Sequence, residues 1–118
     1  MVKTILIVED TELNIDLLTQ LLEDDYNLLI ARDGAQGVGL ANEKKPDLIL
    51  MDISLPVMDG YEAARKIRET LPATPIIGLS AHAMQGDESR AKEAGCNDYL
   101  TKPINDEHLL KTLKGYLG

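Results

Sequence analysis

Tryptophan and phenylalanine are absent from this 118-residue chain, and tyrosine occurs only at Tyr26, Tyr61, Tyr99 and Tyr116. With 44% of the residues hydrophobic but only 3% aromatic, any core must be aliphatic. Basic residues are scarce too: 12 Lys and Arg stand against 20 Asp and Glu, a formal net charge of −8. Nucleic-acid binding calls for a basic face, usually with aromatic stacking platforms, so direct recognition of DNA or RNA is not expected. Long apolar runs are also missing. The longest, residues 5–8 and 48–51, have four residues each, against the roughly 20 needed to span a bilayer. Cysteine occurs once, at Cys96, which excludes an internal disulfide and reads as a small core residue. Together with the lack of a basic-then-apolar leader at Met1, this points to a cytoplasmic chain.

What remains is an acidic chain large enough to fold as one domain over residues 1–118. Area scaling gives a folded surface of roughly 6,300 Å² against roughly 19,000 Å² for the open chain, so a core forms without staples. Short apolar runs alternate with amphipathic stretches, and strands are predicted at residues 4–8, 27–31, 48–51, 76–79 and 98–101. Several are continuously apolar, which implies burial on both faces, as in parallel sheets covered by helices. The first helical stripe contains Leu13, Leu17, Leu18, Leu21 and Leu22, with Thr11 as its N-cap. A second, at residues 35–42, is weakened by Gly37 and Gly39, each of which costs about 1 kcal/mol relative to Ala. Further helices are predicted from Tyr61 to Glu69, from Gly86 to Ala94 with Gly95 as the stop, and after the N-cap Asn105, where Leu109, Leu110, Leu113 and Leu117 turn inward. The pattern predicts an α/β three-layer αβα sandwich with a five-stranded parallel sheet in the order 2-1-3-4-5, whose switch point lies between the first and third strands.

Ligands of such sheets bind outside the carboxyl ends of the strands. Strand one ends in Glu9 and Asp10, strand three in Asp52, strand four in Ser80, and strand five runs into Lys102 and Pro103. Two carboxylates about 4 Å apart repel by roughly 4 kcal/mol at an effective dielectric near 20, so this cluster calls for a cation. With oxygen donors only, Mg²⁺ fits best, and Lys102 is expected across the crevice from the acids. Acids, a hydroxyl and a lysine around one such ion suit phosphoryl chemistry, with the central Asp52 as nucleophile. The acid excess lies in this half: residues 1–59 hold 4 basic and 12 acidic groups, residues 60–118 hold 8 of each. Any one of these residues alone would read as a solvated turn residue; their joint placement carries the argument. Tyr99 reads as half-buried, and His82 and His108 as surface residues without a metal.

These residues resemble the receiver domain of bacterial response regulators. The resemblance rests on Val8-Glu9-Asp10, Leu50-Met51-Asp52, Leu55-Pro56 with Met58-Asp59-Gly60, Leu79-Ser80-Ala81 and Tyr99-Leu100-Thr101-Lys102-Pro103 in order, and covers the chain from Lys3 to Leu117. The stretch from Ala81-His82-Ala83-Met84 onward looks most like stand-alone receivers and those of hybrid sensor kinases. The resemblance implies that Asp52 accepts a phosphoryl group from a phosphohistidine of a sensor kinase or phosphotransfer protein. It also implies that Asp10, Asp52 and the Ser54 carbonyl ligate Mg²⁺, with Glu9 acting through water, and that Lys102 binds the phosphoryl group. Ser80, which also binds it, and Tyr99 would form a switch that remodels the face of helix four, strand five and helix five for a downstream protein. Pro103 would follow a cis peptide bond.

The resemblance makes the chain a monomeric acceptor rather than an enzyme, free-standing or excised from a larger protein. It departs from the family pattern at Glu23-Asp24-Asp25-Tyr26, where a glycine is usual. One rival is a Mg²⁺-dependent aspartyl-phosphate phosphatase of the haloacid-dehalogenase type, but that chemistry uses a second Asp two residues after the nucleophile, where this chain has Ser54. A flavodoxin-like carrier fails because Glu9-Asp10-Thr11-Glu12 would repel a flavin phosphate. A phosphate sink or relay intermediate without an output surface is the remaining alternative.

Overall fold

The computed structural model describes residues 2–53, 60–80 and 87–118, apart from the side chains of Asp87 and Glu88. Along these residues run β1 (Thr4–Val8), α1 (Glu12–Leu22), β2 (Asn27–Ala31), α2 (Gly34–Lys44), β3 (Leu48–Asp52), α3 (Gly60–Thr70), β4 (Ile76–Ser80), α4 (Asp87–Glu93), β5 (Asp98–Thr101) and α5 (Asp106–Leu117). All four strand pairings are parallel, and the sheet order is β2-β1-β3-β4-β5. The folded surface is 6460 Å², close to the value expected from chain mass. Among the described residues, no helix is long and apolar enough to cross a membrane.

Side chains of a strand alternate between faces, so each inner strand feeds two cores. Ile5, Ile7, Leu48, Leu50, Ile77 and Leu79 face one side, where Leu18 and Leu22 of α1 and Leu109 and Leu113 of α5 cover them. Leu6, Val8, Ile49, Met51 and Ile76 face the other, under Ala41 of α2, Ile67 of α3 and Ala91 of α4. This two-sided demand explains why the central strands are apolar throughout. Cys96 lies in the second core, where burial pushes its thiol up to about 11.

Two features of the helices depart from expectation. The core face of α1 is Ile15, Leu18 and Leu22, while Leu13 and Leu17 are 66% and 56% exposed. At 3.6 residues per turn these two leucines lie about 150° around the helix from the buried three, too far for one stripe. Thr11 occupies the N-cap position but its side chain makes no capping bond, whereas Asp33 and Asn105 do cap, accepting from the amides of Gln36 and His108. In α5, Leu110 and Leu117 are only partly buried, at the edge of the stripe. The Gly86 start predicted for the fourth helix lies outside the described residues.

The two glycines of α2 have opposite surroundings. A Cβ at Gly37 would stand 2.9 Å from Cγ2 of buried Val8, whereas one at Gly39 meets nothing within 4 Å. Gly39→Ala should therefore raise stability by about 0.5 to 1 kcal/mol, the helix-propensity difference. Gly37→Ala should lower it, because Val8 must yield. Urea unfolding of the two variants checks both signs.

Candidate functional site

Parallel strands bring their carboxyl ends to one edge, and side-chain parity decides what meets there. Asp52 continues the phase of Leu48 and Leu50 along β3, and Glu9 continues that of Ile5 and Ile7 beyond β1. The register pairs Val8 with Met51, so the next positions, Glu9 and Asp52, fall side by side. Lys102 keeps the phase of Leu100, and its amide extends the β4–β5 ladder by donating to the Ser80 carbonyl at 2.6 Å. All three side chains therefore emerge on the α1/α5 side of the sheet.

There they form an ion cluster. Lys102 Nζ lies 2.6 Å from Glu9 Oε1 and 3.3 Å from Asp52 Oδ2. Glu9 is fully buried and Asp52 is 4% exposed. The other Glu9 oxygen accepts from the amides of Asp10 at 3.0 Å and Thr11 at 3.2 Å, just ahead of α1. The expectation that Lys102 stands across the crevice from the acids is corrected: it closes onto them. Carboxylates taken out of water need a partner charge, and an uncompensated one is strongly destabilising. The Lys102–Pro103 peptide is cis.

Burial, followed by the side-chain contact with Asp52, pushes Glu9 above the ordinary carboxylate range, against the pull of Lys102. Burial lowers the Lys102 pKa, but Glu9 and Asp52 outweigh it and the net direction is upward. Among the described residues, the cluster thus sets two buried carboxyl groups against one ammonium.

Asp10 is exposed beside this pair. Carboxylate oxygens of Glu9, Asp10 and Asp52 all lie within 4.8 Å of one another. This donor set is all oxygen, rich in negative charge and open to solvent through Asp10, which fits a hard divalent cation such as Mg²⁺. Ser54, expected to add a carbonyl, lies outside the described residues, as do Leu55, Pro56, Met58, Asp59, Ala81, His82, Ala83 and Met84.

Ser80 and Tyr99 occupy the opposite phase. Ser80 is 3% exposed at the end of β4, and Tyr99 is partly buried against the core under α3 and α4. Tyr99 pairs in register with Gly78, where a Cβ would come within 3.5 Å of the tyrosine ring. His108 is exposed. Leu13 and Leu17 were expected in the core stripe of the first helix, and Asn14 and Ile104 carried no expected role. A cavity of about 140 Å³ lined by Asn14, Leu17, Leu18 and Ile104 borders Glu9 and Lys102 directly. The signal for Leu13 and Leu17 was present in the helical angles of α1.

Removing one carboxylate should relax the cluster. Asp52→Asn is expected to stabilise the metal-free fold by about 1 to 2 kcal/mol, since the shorter Glu9–Lys102 pair remains and like-charge repulsion falls. A raised native pKa favours the protonated acid in the fold, so Glu9 contributes most below pH 4.5 and its contribution is lost as pH rises through the native value. That loss should shrink in Asp52→Asn. Thermal unfolding with chelator, across the acid range, measures both effects; a variant less stable than the parent at neutral pH contradicts them.

Comparison with known proteins agrees with this geometry. The response regulator receiver domain family matches residues 5–114. The polar-differentiation response regulator DivK of Brucella ovis is 43% identical over 121 residues, spanning 100% of this chain and 98% of the relative. The receiver domain of a sensor histidine kinase from Pseudomonas aeruginosa, crystallised with a magnesium ion coordinated in its active-site cleft, superposes with a TM-score of 0.90 at 40% identity over 98% of both chains. The receiver domain of Ssk1 from Saccharomyces cerevisiae, co-crystallised with the histidine phosphotransfer protein Ypd1, gives 0.91 at 34% identity over 98% of this chain and 88% of its own. With its sheet order, its carboxylate cluster and a match across nearly its whole length, this chain belongs to the response regulator receiver domain family of two-component signalling systems.

Proposed function

We propose that this receiver takes a phosphoryl group from a phosphohistidine onto Asp52, with Mg²⁺, and that occupation of Asp52 changes a protein-binding face. The observation that carries the reading is the setting of Asp52: a buried carboxylate touching one lysine and sharing a 4.8 Å cluster with two further carboxylates. An Asp52 carboxylate oxygen attacks phosphorus, a P–O bond forms, and the P–N bond breaks with its electron pair going to the imidazole nitrogen, which takes a proton from solvent. Lys102 is already within reach of Asp52 and turns from the carboxylates to the arriving phosphoryl oxygens. Mg²⁺ held by Asp10, Asp52 and the Ser54 carbonyl, with Glu9 behind it, would supply neutralisation of charge on the transferring group. The chain acts as a stoichiometric acceptor, not as an enzyme, since Ser54 replaces the second Asp of an aspartyl-phosphate phosphatase.

Ser80 and Tyr99 support a switch because they share the strand phase opposite to Asp52, Ser80 at the carboxyl end of β4 and Tyr99 on neighbouring β5, packed against the core under α3 and α4. Movement of the Ser80 hydroxyl to a phosphoryl oxygen frees space for the ring, a two-state population shift read on the α4-β5-α5 face. The phosphodonor is met elsewhere. Leu13 and Leu17 form an exposed apolar pair on α1 beside the cavity that borders Glu9 and Lys102. A helix of a histidine phosphotransfer protein fits there, with its phosphohistidine directed at Asp52.

Acetyl phosphate with Mg²⁺ should add one base-labile phosphoryl group to the chain by intact mass. Asp52→Asn should add none, and Asp10→Asn should need far more Mg²⁺ for the same labelling. Full labelling of Asp52→Asn would overturn the assignment. Leu17→Glu should slow transfer from a phosphorylated phosphotransfer protein roughly tenfold, the effect of losing one interface anchor, while labelling by acetyl phosphate stays at the parent rate.

A further inference from the structure

A second polar cluster sits at the opposite end of the sheet from the carboxylates and joins α3 to the α4–β5 junction. Arg68, in the last turn of α3, donates to the Gly95 carbonyl from Nε at 3.2 Å and from Nη2 at 2.7 Å. Its Nη1 serves the carbonyls of Leu71, Pro72 and Thr74, and Nη2 also reaches Asn97 Oδ1 at 2.8 Å. Asn97 continues the network. Its Oδ1 accepts from the Ile76 amide at 2.9 Å, its own amide donates to the Ile76 carbonyl at 2.6 Å, and its carbonyl accepts from the Tyr116 hydroxyl at 3.3 Å. The Arg68 guanidinium and the Asn97 carboxamide therefore tie α3 and β4 to the start of β5, and the Asn97 main-chain carbonyl adds α5.

Gly95 belongs to the same device. The Cys96 amide donates to the Ala91 carbonyl and the Gly95 amide to the Lys92 carbonyl, the paired bonds of a Schellman ending. Gly95 has φ 109°, and a Cβ there would lie 3.3 Å from Cβ, Cγ and Nε of Arg68. Glycine thus supplies the left-handed turn and leaves passage for the arginine stem. A planar guanidinium with five acceptors holds its partners in one geometry, which an ammonium on a flexible stem does not reproduce.

The carboxyl end of α4 is consequently pinned to its neighbours, whereas its amino end lies downstream of Ser80, where the proposed switch begins. We propose that the Arg68–Asn97 clasp is the fulcrum of α4: a rearrangement started at Ser80 swings the helix about Gly95 instead of sliding it along the sheet. The partner-binding face is then remodelled most near residue 87 and least at the α4–β5 junction. The stacking of Arg90 of α4 over Tyr61 of α3, 4.4 Å from the ring centroid, is a contact between the two helices that such a swing must alter. This proposal rests on the phosphoacceptor reading of Asp52 and specifies how that reading reaches the surface.

Residual dipolar couplings of backbone amides, recorded with and without beryllofluoride and Mg²⁺, test it. In the parent chain the α4 axis should reorient while the amide vectors of Gly95 to Asp98 keep their directions relative to the sheet. In Arg68→Lys those vectors should reorient too, with beryllofluoride still shifting the amides of Ile53 and Lys102. An unrotated α4 axis, or equal reorientation at Gly95 to Asp98 in the parent, overturns the fulcrum while leaving the phosphoacceptor reading intact. Should Arg68→Lys not fold, the parent data alone decide. No beryllofluoride response at Ile53 and Lys102 of the parent overturns the phosphoacceptor reading itself, and the fulcrum with it.

Discussion

Two carboxylates, Glu9 and Asp52, are buried against a single lysine, and much of the molecule serves to hold them there. Left to themselves they would repel, take up water or protonate. Five parallel strands hold them together by presenting β1 and β3 side by side and carrying Lys102 in from the end of β5, although burial and Asp52 still push Glu9 toward its protonated form. The result is a site with too much negative charge for its one cation. That imbalance suits a hard divalent ion, and in the proposed reading Lys102 then turns to the oxygens of the phosphoryl group.

Period-two alternation separates the chemistry from its consequence. Glu9, Asp52 and Lys102 leave the sheet on the α1/α5 side, beside the exposed leucines of α1. Ser80 and Tyr99 leave on the other, in the core covered by α2, α3 and α4. In the proposed reading a phosphoryl group is delivered to Asp52 along one face and read on the other. The Arg68 clasp lies at the far end of the sheet and fixes the α4–β5 junction there, the point about which we propose α4 swings.

Most of the architecture was legible because strong local signals agreed with one another. Apolar runs marked all five strands, and observed bounds differ from the reading by one residue at the ends of β3 and β4. Gly95 stopped a helix because the chain there needs a left-handed residue, and Asn105 began one because its side chain accepts from an amide three residues on. The acids at the strand ends marked the site. Less legible were contacts set by direction in space. Counting leucines in α1 placed five in one stripe, but the angle around the helix puts Leu13 and Leu17 on the outside. Arg68 carried no sequence signal of a clasp, since four of its five acceptors are main-chain carbonyls, which any residue supplies, and the fifth, Asn97 Oδ1, lies 29 residues away.

The sequence by itself determined the α/β alternation, the aliphatic core and the acidic character of the carboxyl ends of β1 and β3, because these depend on residue type and spacing along the chain. Only the tertiary structure decided that Lys102 lies on the acids instead of across from them, and that the second Glu9 oxygen accepts from the amides of Asp10 and Thr11 just ahead of α1. Those outcomes depend on which charged groups lose their water together, and that is settled only once distant strands share an edge.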